Sequence, residues 1–264
     1  MSQWIFLSKN GQDEYINMFA DGSGGVPVSE FDYAATTEPI VLRGILKHKL
    51  MKQCWADNRD FYYVDSGYVG NNKNLLNPGG WKIWHRIVKN NLQHTEIINR
   101  PSDRWQKLKI SLHPRRYGSQ IVVAVPDEKP CKFYGIDLMT WIKQTVDTIK
   151  QHTDRPVVVR QRAHDRRERV SVDPLSQVLV NDVHALVTFN SNAATESVLL
   201  GVPVFTLAPA NAAAPVGCQN LQQIESPYWP DSDKLHAWAH HLAYGQFHIS
   251  ELRDGTAYRI LNAH

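Results

Sequence analysis

The sequence predicts an α/β protein built on parallel sheet and divided into two small units. Three observations carry that expectation. Short apolar, β-branched runs alternate with stretches of helical spacing up to about residue 67, and do so again from residue 121 onward. Between them, residues 70–117 lose this rhythm and become rich in Asn, Trp, His and Arg. Residues 184–205 then read strand, polar tip, helix, Gly201-Val-Pro203 and strand, which is a βαβ half-unit.

Residues 4–7 read as a buried strand and 12–19 as a helix, with a glycine-rich loop at 22–25 before a Val-Pro-Val strand at 26–28. A short apolar run at 40–42 is followed by helical spacing over 44–55. The Phe-Tyr-Tyr-Val strand at 61–64 ends in Asp65-Ser66-Gly67. After the irregular stretch, strand 121–125, helix 137–151 and strand 156–159 restore the alternation. A final helical stretch runs from about residue 233 to the end. The expected division is therefore 1–117, 118–232, and closing helices over 233–264 that pack back on one or both units. There is no repeat of fixed period and no low-complexity tract.

Composition narrows the class. A chain of 264 residues with 42% apolar content can bury real cores and is not expected to be disordered. The formal net charge of +3 is too small to establish a nucleic-acid partner. Cys54, Cys131 and Cys218 are scattered, odd in number and without metal spacing, so a reducing, cytoplasmic setting is expected rather than a disulfide framework. No basic segment followed by an apolar core opens the sequence, so no signal peptide is expected. Residues 197–224 carry no charge, but Gly201, Pro203, Pro209, Asn211, Pro215 and Gly217 interrupt them too often for a membrane-spanning helix. Phosphate-binding, dinucleotide and serine-hydrolase motifs are absent, which removes kinase, dehydrogenase and hydrolase readings.

The 184–205 window carries the most chemistry. Its first strand ends in Asn190, Ser191 and Asn192, residue types that cap helices and leave backbone N–H groups available to an anion. A capping box would place its acid at 194 or 195, and Glu196 fits neither. Glu196 either takes the hydroxyls of a ribose or complements the helix dipole.

These residues resemble the donor-nucleotide segment of two-domain, GT-B-type glycosyltransferases and their sugar-nucleotide epimerase relatives. There a strand ends in a Ser/Gly-rich turn, a helix follows with an acid in its first turns, and Gly-x-Pro opens the next strand. The later segments Ile224-Glu-Ser-Pro227, Leu242-Ala-Tyr244-Gly-Gln246-Phe247 and Glu251-Leu-Arg-Asp-Gly255 resemble small glycosyltransferase-like proteins of tailed bacteriophages. The resemblance implies two small Rossmann-like units in a reduced GT-B architecture, with the nucleotide sugar on the C-terminal unit and the acceptor on the N-terminal one. It implies a C-terminal helix that crosses back, and donor binding without a metal. The chain is short for that family, so one or both units must be stripped down.

Candidate residues follow from both lines. Thr188, Ser191, Asn192 and Ala193 would offer hydroxyl and backbone donors to a diphosphate, or serve only as a helix cap. Arg160 and Arg162 follow the 156–159 strand and could pair with phosphate oxygens bidentately. Arg166, Arg167 and Arg169 are interleaved with Asp165 and Glu168 and read as a solvated loop. Asp65, at a strand's carboxyl end, is the candidate base for an acceptor hydroxyl, against the common role of capping a turn before glycine. His85 and Asp32 are weaker candidates.

Trp81, Trp84, His85, Arg86, Arg115 and Arg116, with Arg100, Arg104, Trp105, Lys107 and Lys109 between, interleave cations and aromatics as nucleic-acid surfaces do. Through the phage resemblance, the acceptor would be a hydroxymethylated pyrimidine in DNA. Tryptophans at such spacing also build cores. His236, His240 and His241 lack a further ligand, and Asp231-Ser-Asp233 reads as a helix cap, so no metal is expected. A non-catalytic nucleotide- or DNA-binding module, an epimerase and a surface-glycan transferase are the rival readings.

Overall fold

The computed structural model describes residues 5–7, 13–28, 33–35, 37–45, 48–71, 83–161 and 175–263. In chain order the elements are β1 (Ile5–Leu7), α1 (Glu14–Ser23), β2 (Val26–Val28), β3 (Ile40–Arg43), α2 (His48–Ala56), β4 (Phe61–Ser66) and β5 (Trp84–Lys89). They continue with α3 (Asp103–Leu108), β6 (Gln120–Ala124), α4 (Glu128–Tyr134), α5 (Leu138–Lys150), β7 (Val157–Arg160), α6 (Leu175–Leu179) and β8 (Val183–Thr188). The remainder are α7 (Ala193–Leu199), β9 (Val204–Thr206), α8 (Ser232–Tyr244), β10 (Gln246–His248), α9 (Ile249–Arg253) and α10 (Thr256–Asn262). None of the described helices is long and apolar enough to cross a membrane.

Two compact units result. One takes the described residues within Met1–Asn71, Pro78–Leu92 and Ala243–His264, and the other those within Gln93–Leu242. Residues 93–117, expected beside the N-terminal unit, are thus packed with the second, and the last twenty-odd residues return to the first. Both units are α/β layers on largely parallel sheets, as the alternation predicts, and fit the Rossmann-like class that the resemblance implies.

The first sheet has the order β10-β5-β4-β3-β1-β2. β1 to β4 run parallel, while β5 is antiparallel to both β4 and β10. Phe61, Tyr62, Tyr63 and Val64 of β4 are all buried, as befits a central strand covered on both faces. Ile16, Phe19, Val41, Tyr62, Val64, Ile87, Phe247 and Leu252 form the core that binds α1 and α9 to the sheet. Asp13 caps α1 by accepting from the N–H groups of Tyr15 and Ile16, and Gly24, at φ +73°, closes it.

α1 extends into the stretch expected to be a loop at 22–25, taking Gly22 and Ser23 before Gly24 ends it. A Cβ on Gly22 would collide with the Leu252 carbonyl and the backbone of Gly255, so this helical glycine marks close packing against the C-terminal segment. The expected continuous C-terminal helix is broken as well. After Gly245 the chain forms β10 against β5, and α9 then starts under a capping box made by His248 and Glu251. The return of α9 and α10 onto α1 matches the crossing back that the fold class implies.

The second sheet, β7-β6-β8-β9, is wholly parallel. All six residues of β8 are buried. Its core joins Ile121, Val123, Trp141, Ile149, Val187 and Phe205. Gly201 ends the helix side of the window at φ +84°, and a Cβ there would also strike the Pro114 carbonyl. The segment before β6 is fastened along this end of α7: His113 N–H donates to Leu199 O (2.9 Å) and Arg116 N–H to Gly201 O (2.6 Å). The glycine in Gly201-Val-Pro203 therefore serves both a left-handed turn and a close backbone approach.

Candidate functional site

Strand order sets the second unit's site. β6 connects outward to β7, and β8 then joins β6 on the opposite side. Ligands in open parallel sheets bind where connections diverge in this way, outside the carboxyl ends of the two central strands. Register puts Arg160, Ala124, Thr188 and Thr206 in one row across β7, β6, β8 and β9 at that edge.

The candidate donor residues divide by what they touch. Thr188 is fully buried, and its hydroxyl donates to Ala124 O (3.1 Å), tying the two central strands together. Ser191 Oγ accepts the Ala193 N–H at 3.2 Å, while Asn192, the residue before α7, makes no side-chain cap bond. Ala193 opens the helix. Glu196 lies one turn in, half-buried, and lines a recess of about 280 Å³ with Ile110, Ser111, His113, Ser176, Leu199 and Leu200. Arg160 closes β7, and its carbonyl accepts the Val125 N–H at 3.0 Å. Arg162, Arg166, Arg167 and Arg169 lie outside the described residues.

Three buried side chains not anticipated from sequence hold this edge. Gln93 donates to Asn190 O (2.9 Å) and accepts from Ala212 N (2.8 Å). Asn211 donates to Ser191 O (3.4 Å) and accepts from Ala213 N (2.9 Å). Trp238, on α8, donates its indole N–H to Ala212 O at 2.7 Å. A lone amide inside the uncharged run 207–217 was the only sequence signal, and it pointed equally to a surface turn.

Next to Gln93, the His94 ring packs edge-on to His241 with centroids 5.1 Å apart. Burial and the nearby Arg100 cation push the His241 imidazole down to about 4. The sign follows. Below about pH 6.5 the unfolded chain takes up a proton that the folded one refuses, so stability falls as pH drops toward 4. Between pH 7 and 5 the loss should be on the order of 2 kcal/mol. Urea unfolding at both pH values measures it, and His241→Leu should flatten the difference.

In the first unit, Asp65 faces Arg86 across β4 and β5. Arg86 Nη2 meets Asp65 Oδ2 at 3.0 Å, the Tyr63 hydroxyl donates to the same oxygen at 2.8 Å, and the Ser66 N–H donates to Oδ1 at 2.7 Å. Arg86 Nη1 also donates to Ser66 O at 2.9 Å. Burial, the largest single influence, would weaken the Arg86 cation, but Asp65, Tyr68 and Tyr63 together outweigh it and raise its pKa. Burial, then Asp65, holds the Tyr63 phenol well above its usual range. Gln246 of β10 fixes the turn beyond Asp65, accepting from the Tyr68 and Val69 N–H groups at 2.7 and 3.0 Å.

The basic-aromatic residues are not gathered on one unit. Trp84, His85 and Arg86 open β5 in the first. There His85 is fully buried against the Tyr15 ring (4.0 Å), and Trp84 stands edge-on to His248. Arg115 and Arg116 belong to the second unit, where Arg115 lies over the Tyr117 ring and Arg116 Nε donates to Leu200 O. Arg104 and Trp105 are buried in the same unit, while Lys107, Lys109, His113 and Arg116 are exposed. Trp81 and Asp32 lie outside the described residues.

Asp231 caps α8 through the Lys234 N–H (2.8 Å), and the His236 ring bonds back to Ser232. Among the described residues no three His, Cys, Asp or Glu side chains are grouped to hold a metal ion.

No protein-family model matches the chain, and no curated protein sequence matches it. Solved structures do match. The Thermosulfurimonas dismutans KpsC, beta Kdo 2,4 transferase aligns with a TM-score of 0.51 over 91% of this chain and 90% of that one, at 10% identity. The beta Kdo 2,7 transferase of the same KpsC aligns at 0.47 over 85% and 88%, also at 10% identity. The likeness is one of fold. It places the chain's α/β architecture beside that of a glycosyltransferase, and a shared fold does not fix the chemistry.

Proposed function

We propose that this protein is a GT-B-type glycosyltransferase that moves a sugar from a nucleotide-sugar donor to an acceptor hydroxyl. The observation that carries the proposal is the β8–α7–β9 unit at the switch point of a wholly parallel sheet, within a fold shared with a solved glycosyltransferase.

In this reading the donor diphosphate meets the Ser191–Asn192–Ala193 turn, behind the strand end at Thr188, with Arg160 and Arg162 supplying charge. Glu196 takes the ribose hydroxyls. Asp65 on the first unit is the proposed base: it removes the proton as the acceptor oxygen bonds to the anomeric carbon. The bond from that carbon to the diphosphate breaks, and the diphosphate leaves with the electron pair, stabilised by arginine charge and backbone N–H donors. No metal is required for donor binding in this proposal.

For the acceptor we propose a hydroxymethylated pyrimidine in DNA. The exposed Lys107, Lys109 and Arg116 support it, because they can pair with phosphates. Trp81, Trp84 and Arg115 are the residues proposed to meet the acceptor; His85 and Arg86, expected to do so, are buried within the first unit and are set aside for that role. A surface-glycan acceptor is the second reading, in keeping with a fold neighbour that is a beta Kdo 2,4 transferase. Salt-dependent binding to duplex DNA separates the two, since only phosphate contacts release counterions.

The first test is a thermal-shift screen with the mono- and diphosphates of uridine, guanosine, cytidine and adenosine, with and without magnesium. A metal-independent rise for one of them supports the donor site and selects the sugar nucleotides to offer. No shift with any, on folded protein, overturns the transferase reading in favour of a non-catalytic module.

A further inference from the structure

The turn proposed to meet the donor is held from outside its own βαβ unit. Gln93 and Asn211, 3% and 0% exposed, both direct side-chain amide donors at carbonyls of that turn: Gln93 at Asn190 O and Asn211 at Ser191 O. The Gln93 orientation is fixed by its other end. The Ala212 N–H needs an acceptor, so Oε1 faces it and Nε2 must face Asn190.

A trans peptide points its C=O and N–H in opposite directions. Fixing the Asn190 carbonyl on Gln93, and the Ser191 carbonyl on Asn211 as well as on the Ala194 N–H (3.1 Å), therefore turns the N–H groups of Ser191 and Asn192 the other way. A peptide flip would put carbonyl oxygens where N–H groups now stand, and an oxygen there repels phosphate. We propose that Gln93 and Asn211 are positioning residues for nucleotide binding, locking the Asn190–Asn192 peptides with their N–H edges toward the phosphates. Gln93 has the larger part, with the shorter bonds and two backbone groups joined by one side chain.

The inference rests on reading the second unit as the donor-binding unit. It explains why glutamine rather than glutamate occupies 93. A carboxylate could accept from Ala212 but would set oxygen against the Asn190 carbonyl and add charge beside a phosphate.

The test is nucleotide affinity, measured by titration calorimetry with the nucleotide that shifts the wild type in the screen. Gln93→Met keeps length and removes both bonds, and Gln93→Glu keeps one and reverses the other. Each should weaken binding about tenfold or more, through the loss of a buried bond and the freed peptide. Ile149→Val, in the same unit's core, controls for lost stability and should leave affinity unchanged. The glutamate variant carries a further signature: once protonated its carboxyl can donate to Asn190 O. Its affinity relative to wild type should thus recover between pH 8 and 5.5, and that of the methionine variant should not. If the methionine variant does not fold, the glutamate variant at two pH values decides alone. Wild-type affinity in both variants, with only a lower melting temperature, overturns the positioning role and leaves the donor reading standing. A wild type that binds no nucleotide overturns both.

Discussion

Trp238→Ala should destabilise the protein by about 3–5 kcal/mol, the range for truncating a fully buried large aromatic. Among the described residues Trp238 is the largest side chain buried without any exposure, and it sits on α8 against the run 207–217. Truncation leaves a void lined by residues that cannot all collapse inward, and it strips the Ala212 carbonyl of its indole donor. Trp238→Phe keeps most of the apolar contact and loses the hydrogen bond, so it should cost about 1–3 kcal/mol. Denaturant unfolding followed by circular dichroism gives both numbers, and a near-zero change for the alanine variant would show that the 207–217 run has no stake in α8. Because Ala212 also donates to Gln93, the alanine variant should loosen the Asn190 turn. Nucleotide affinity should fall with stability here, unlike in Ile149→Val.

How much of this was legible in the sequence depended on whether a segment's partners were local. The 184–205 window was readable because its strand, turn, helix and glycine follow one another. Gly201 stands out to any reader, and the structure adds only that Pro114 and Arg116 press on it. β5 was invisible because its row of Trp84, His85, Arg86, Ile87 and Val88 mixes charge and apolar residues without alternation. Arg86 is buried there only because Asp65 and the Ser66 carbonyl receive it, twenty residues upstream. β10 has three residues and exists by pairing with β5, so nothing within 246–248 announces it. Gly22 misled in the opposite sense. A glycine that permits a helix to pack tightly looks, in sequence, like a glycine that ends one. Gln93 belongs with these cases, since its two partners lie about a hundred residues away and only folding brings them together.

Removing the Arg86 guanidinium should have the second large effect, about 2–4 kcal/mol for Arg86→Met, and its analysis decides what Asp65 does. Breaking a buried ion pair from one side leaves the partner's charge uncompensated, which exceeds the worth of the pair itself. Arg86 is the buried member, with a side chain 8% exposed against 36% for Asp65, so the penalty is asymmetric. Asp65→Asn strands a buried cation beside a neutral amide. Arg86→Met strands a carboxylate that water can still reach and that keeps the Tyr63 and Ser66 donors. The asparagine variant should therefore lose at least as much stability as the methionine variant. The double variant should recover part of the loss, with a coupling of about 1–3 kcal/mol in a double-mutant cycle.

This matters for catalysis because loss of turnover in Asp65→Asn alone would not distinguish a missing base from a disturbed β4–β5 edge. The Arg86→Met variant makes the distinction. If Asp65 takes the acceptor proton, removing the neighbouring cation makes its carboxylate more basic, and the acidic limb of the rate–pH profile moves to higher pH while turnover survives at the plateau. If Asp65 only anchors Arg86, the limb stays where it was and turnover falls in step with the folded fraction. Asp65→Asn, corrected for folded protein, should then lose on the order of a hundredfold in the first case and almost nothing in the second.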